Sequence, residues 1–132
     1  MEARYCFNPP RLLTERERTV TRWIIEHGGA SEKERKGFLV QLGAATVVSR
    51  CACGCASVDF AIRGEPAPAG VGLEIIGDFL CGEERAGING VFVFARSGVL
   101  AGIEIYQLSD EKIHTELPAP DTLRAFDPPQ TT

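Results

Sequence analysis

Three thiols fall within five residues in the run Arg50-Cys51-Ala52-Cys53-Gly54-Cys55. Thiols at this spacing can bind a soft metal ion, exchange disulfides, or sit reduced as small apolar side chains in a turn. Geometry narrows the choice. Cysteines at i and i+2 of a straight strand share a face but stand about 6.6 Å apart along it. Zn–S bonds near 2.3 Å require sulfurs closer than roughly 4 Å, so an extended segment cannot chelate one ion. Gly54 supplies the bend, because glycine reaches backbone angles closed to other residues. A bent segment would turn Cys51, Cys53 and Cys55 inward as ligands for zinc, with Cys81, Cys6 or a histidine as the fourth. The spacing differs from the paired Cys-x-x-Cys units of common zinc folds, and no Cys-x-x-Cys exchange motif is present.

Other chemistry is thinly represented. His27 closes a helical pattern and fits a core face, and His114 lies in a polar stretch near the C-terminus. Asp59, Glu74, Asp78 and Glu104 alternate with apolar residues and read as solvated strand positions, not as an acid–base pair. The glycine-rich stretch from Gly82 to Gly90 lacks the lysine and hydroxyl of a phosphate loop.

The elements that must position the thiols follow from periodicity. Thr14 with Glu17, and Ser31 with Glu34, are capping-box pairs that open two helices. Val20, Trp23, Ile24 and His27 form the buried face of the first, and Arg35, Phe38, Leu39 and Leu42 that of the second. Gly28-Gly29 and Gly43 end them. Beyond residue 44 the period falls to two. Strands are expected over 45–50, 57–63, 71–79, 91–95 and 99–106, with Cys81–Gly90 as a glycine-rich connection. Arg96-Ser97-Gly98 fits a hairpin turn. Short turns imply antiparallel pairing. The fold class is therefore α+β, with two N-terminal helices on one face of an antiparallel sheet of about five strands. Residues 1–132 form a single domain. Residues 1–13 make an irregular arm, and 109–132 a tail in which Pro118, Pro120, Pro128 and Pro129 exclude long helix or central strand. The sheet face away from the helices is expected to show Asp59, Glu74, Ile76, Asp78, Leu100, Glu104, Tyr106 and Leu108.

The net charge of −4 and pI near 5.2 argue against a nucleic-acid footprint, and no apolar run is long enough for a membrane span. With no secretory leader and an odd number of cysteines, five, the expected compartment is the cytoplasm, where thiols stay reduced. The leading expectation is a small cytosolic module without an enzymatic site that works through protein contacts, as a homodimer or with another protein. The alternative is a thiolate zinc protein using Cys51, Cys53 and Cys55.

The stretch Arg50-Cys51-Ala52-Cys53-Gly54-Cys55-Ala56-Ser57-Val58-Asp59 resembles a group of small bacterial proteins of unknown function. The likeness extends to Leu13–Glu17, to Gly90–Phe94 and to Gly98–Tyr106, and departs at Ala56, where the group often has proline. It implies a single-domain protein of bacterial origin and carries no activity, cofactor or catalytic residue with it.

Overall fold

The computed structural model describes residues 4–70, 72–83, 85–109 and 112–126. Expectations for residues 1–3, Val71, Pro128 and Pro129 lie outside the described residues. The chain runs β1 (Arg4–Leu12), α1 (Glu15–His27), α2 (Glu32–Leu42), β2 (Ala45–Cys51), β3 (Val58–Ile62), β4 (Glu65–Pro66), β5 (Glu74–Glu83), β6 (Gly87–Arg96) and β7 (Val99–Gln107). A short 3-10 turn at Pro120–Thr122 follows. The α+β class with an antiparallel sheet stands, but among the described residues the sheet has seven strands where about five were expected.

Two extra strands account for the difference. Residues 4–12 are not an irregular arm. They pair with β2 through Arg4↔Cys51, Tyr5↔Arg50 and Cys6↔Ser49, detour around the cis Asn8–Pro9 bond, and resume at Arg11↔Val47. The helices thus lie between β1 and β2 instead of opening the fold. The second addition is β4, which turns back on β3 through Arg63 and Gly64, both at positive φ. Cys81–Gly90 is also not a loose connection: β5 and β6 continue pairing through Cys81↔Asn89 to Glu83↔Gly87.

Both capping boxes form. Glu17 N–H donates to Thr14 Oγ1 at 3.0 Å while Thr14 N–H donates to Glu17 Oε1 at 2.8 Å. Ser31 and Glu34 repeat the pattern at 3.2 and 3.1 Å. Val20, Ile24, Phe38 and Leu42 reach the core as their spacing requires. His27 does not. It is exposed, stacked on Trp23 at 4.1 Å, and its Nδ1 lies 2.8 Å from the Trp23 carbonyl. Gly28 ends α1 with φ −77°, so left-handed freedom is not its reason. A Cβ there would lie 2.3 Å from the Ile76 carbonyl oxygen, and only glycine lets α1 come this close to β5.

The sheet order is β1-β2-β3-β7-β6-β5, all antiparallel, with β4 alongside β3. The helices cover one face, where Val47, Phe60, Val91, Val93, Leu100 and Ile103 are buried with α1 and α2 side chains. Register shifts decide which residues face away. Ile75↔Phe94 is followed by Gly77↔Val93, and Phe94↔Gly102 by Ala95↔Leu100. Each extra residue reverses the alternation, so Ile76 and Leu100 enter the core instead of the opposite face. Asp59, Asp78, Glu104 and Tyr106 do lie on that face. Arg4 binds Glu104 at 2.8 Å and Asp59 at 3.5 Å there, Ser49 Oγ donates to Asp59 at 2.6 Å, and Tyr106 OH donates to Asp78 at 2.8 Å. At the junction of the two halves, Val58 pairs with Ile103 and Asp59 with Gly102. A Cβ on Gly102 would fall 2.5 Å from the Val58 carbonyl oxygen. This close seam brings the end of the β2–β3 connection beside the end of β7.

Candidate metal centre

The cysteine run occupies that connection. β2 ends at Cys51, and Cys51 N–H donates to the Ser57 carbonyl at 3.2 Å, which closes the loop at its base. Gly54 N–H donates to the Cys51 carbonyl at 3.2 Å, so Cys51–Gly54 is a β-turn, and Gly54 leaves it at φ +93°. That angle favours glycine and reverses the chain before Cys55. Two further bonds fix the loop. Ile105 N–H donates to the buried Ser57 hydroxyl at 3.0 Å, and Ala56 N–H donates to the His114 carbonyl at 2.8 Å.

The turn converts the spacing into a cluster. The sulfur atoms of Cys51, Cys53 and Cys55 all lie within 4.8 Å of one another, and Cys51 Sγ is 3.0 Å from Cys53 Sγ. Tetrahedral Zn–S geometry places sulfurs about 3.8 Å apart, so small side-chain rotations separate these positions from a chelating set. Cys55 N–H donates to Cys53 Sγ at 3.4 Å. A backbone amide aimed at a sulfur stabilises thiolate charge and orients the ligand. The donor set is thus three soft sulfurs, suited to Zn²⁺ or Cu⁺ and ill suited to Mg²⁺ or Ca²⁺. The residues present fit a bound ion.

Burial is graded across the cluster: Cys51 is buried, Cys55 half-buried and Cys53 exposed. The Cys51 thiol is pushed up to about 11, first by its contact with the Cys53 thiol, with burial and the neighbouring Cys55 adding to the effect. Three negative sulfurs cannot share this volume without a cation. A cleft of about 320 Å³ opens beside the thiols, walled by Glu104, Tyr106 and Gln107 of β7 and by Lys112, Ile113 and His114 of the C-terminal segment.

The other residues with ligand chemistry are elsewhere. Cys81 is on the core face of β5 opposite Asn89, only 3% exposed, and burial pushes its thiol up. Cys6 is exposed on the edge strand β1 opposite Ser49. Neither joins the group of three, and His27 is on the surface at the far end of α1. His114 lines the same cleft, held there by the bond from Ala56 to its own carbonyl. The sequence offers no pattern that would have brought His114 here: it follows a polar stretch and precedes prolines, and the main-chain bond that helps dock it comes from Ala56, far back along the chain. Ser57, which ties the loop to β7, was equally invisible. Among the described residues no helix is long and apolar enough to cross a membrane. Comparison with protein-family models, curated proteins and solved structures finds no match.

Proposed function

We propose that this protein is a thiolate metal-binding protein that holds a single zinc ion through Cys51, Cys53 and Cys55. The observation that carries the reading is the convergence of three sulfurs within 4.8 Å at the mouth of a cleft. Structural cysteines gain nothing from such proximity, whereas one cation neutralises all three. The chain supplies three ligands; a fourth would come from water or from a residue of the cleft that the thiols border, which His114 also lines.

Cobalt substitution tests this directly. Titrating Co²⁺ into the metal-free protein is expected to give an intense sulfur-to-metal charge-transfer absorption saturating at one equivalent, which Zn²⁺ then displaces. Cys53→Ser weakens binding by at least about tenfold, and Cys6→Ser leaves it unchanged. The absence of a thiolate charge-transfer band at millimolar Co²⁺ would overturn the reading.

A further inference from the structure

Two sulfurs of the cluster are far closer than metal binding asks. Cys51 Sγ and Cys53 Sγ are 3.0 Å apart, and a disulfide needs about 2.05 Å, so closing the bond takes about 1 Å of travel. They sit at the first and third positions of the β-turn closed by Gly54, which already folds the backbone between them. Their access to solvent differs sharply: Cys53 is exposed and Cys51 is 7% exposed. At Cys55 it is the backbone amide that contacts Cys53.

We propose that Cys51 and Cys53 form an oxidative modification site, closing to a disulfide when a low-molecular-weight disulfide reacts at Cys53. The inference uses the same thiols as the zinc reading but does not require it. Cys53, the exposed member, attacks one sulfur of the external disulfide. The external S–S bond breaks, a new one joins Cys53 to one half, and the other half leaves as a thiolate that takes up the proton from Cys53. Cys51 then attacks Cys53 Sγ, expels the second half, and gives its proton to it. Two protein thiols are oxidised by two electrons, and one external disulfide is reduced to two thiols. Of the cluster only the Cys55 thiol remains in the product, so a cation held by three sulfurs is discharged. The site would read the thiol–disulfide balance and release its ion when that balance turns oxidising.

The experiment uses the full chain, metal-free and zinc-loaded in parallel, incubated with oxidised glutathione. Remaining thiols are blocked with one alkylating reagent, disulfides are reduced, and the newly released thiols are tagged with a second. Trypsin cuts after Arg50 and Arg63, so the three cysteines share one peptide whose fragmentation locates each tag. The expected result is the first tag on Cys55 and the second on Cys51 and Cys53. Cys51→Ser is expected to accumulate a glutathione adduct at Cys53 that does not resolve. In the zinc-loaded sample a chromogenic chelator should report zinc release in step with oxidation. Retention of the first tag on both Cys51 and Cys53, or a stable pairing through Cys55, would overturn the proposal. If the metal-free chain forms the Cys51–Cys53 bond but never takes up zinc, the zinc reading fails and this one stands.

Discussion

Glu17 shows how much one side chain can do in a first helical turn. It is 7% exposed, closes the capping box with Thr14, and accepts two hydrogen bonds from Arg11, both at 2.9 Å. Burial alone would raise its pKa, but the Arg11 guanidinium and the Thr14 amide outweigh burial and hold the carboxyl below its usual 4.5. The direction fixes the pH behaviour. A carboxylate with a lowered native pKa contributes stability above its unfolded value, and that contribution is lost as pH falls through the folded one. Glu17→Gln keeps one oxygen able to cap but removes the charge and one of the two acceptors that face Arg11. It is expected to cost about 1 kcal/mol at pH 7, discounted because Arg11 is partly exposed. The gap between variant and parent should begin to narrow below about 4.5, where Glu17 of the unfolded chain takes up a proton, and close as pH falls through the lower folded value, where the native parent becomes neutral as well. Urea midpoints at pH 7 and pH 3 check both parts; a gap that is constant with pH would show that the charge contributes nothing.

At the scale of elements, the adjacent glycines of the α1–α2 connection look interchangeable in the sequence and are not in the fold. A Cβ on Gly28 meets the Ile76 carbonyl oxygen at 2.3 Å, whereas one on Gly29 meets nothing within 4 Å. Gly28→Ala is expected to destabilise by about 2 kcal/mol or more, because backbone must move, and Gly29→Ala by less than about 0.5 kcal/mol. Thermal melts of the two variants give the comparison; equal shifts would mean that α1 does not rest on β5 as closely as described. The pair also shows what could be read in advance. Capping boxes, the Ser97–Gly98 turn and the alternation around Phe60 depend on near neighbours, so they were legible. Ile76 and Leu100 changed faces because bulges shift register, and nothing local announces an extra residue. β1 was missed because Asn8-Pro9-Pro10 reads as a break, while its pairing with β2 is set by residues some forty positions away. The cysteine turn was legible as a bend at Gly54. The wall opposite it, from β7 and the segment around His114, arises from long-range pairing and was not.

On the scale of the whole molecule, the C-terminal segment ties the candidate site to the core. After the cleft it sends Leu117 and Leu123 into the hydrophobic cluster, and Arg16 Nη1 donates to the Leu117 carbonyl at 2.9 Å. It ends by pairing Arg124 with Leu80 on the outer edge of β5. Pro118 and Pro120 keep residues 112–126 free of long helix as expected, yet this described part is packed against the fold and is not a loose tail. The segment that closes the core end of the sheet is therefore the one that supplies the cleft wall beside the thiols. The link between Ala56 and His114 makes the two structures interdependent, so loosening one should loosen the other. Leu117→Ala is expected to cost about 2–4 kcal/mol from lost burial and the cavity left behind. It should also weaken zinc binding, although Leu117 is no ligand, by freeing the cleft wall beside the thiols. Reciprocally, zinc at a hundredfold excess over its dissociation constant should stabilise the parent by about 2.7 kcal/mol and the variant by less at the same zinc concentration. Denaturant unfolding of both proteins with zinc and with chelator completes the cycle. Equal stabilisation of parent and variant would show that the cysteine turn holds its ion without the C-terminal segment, and that the cleft wall serves the fold alone.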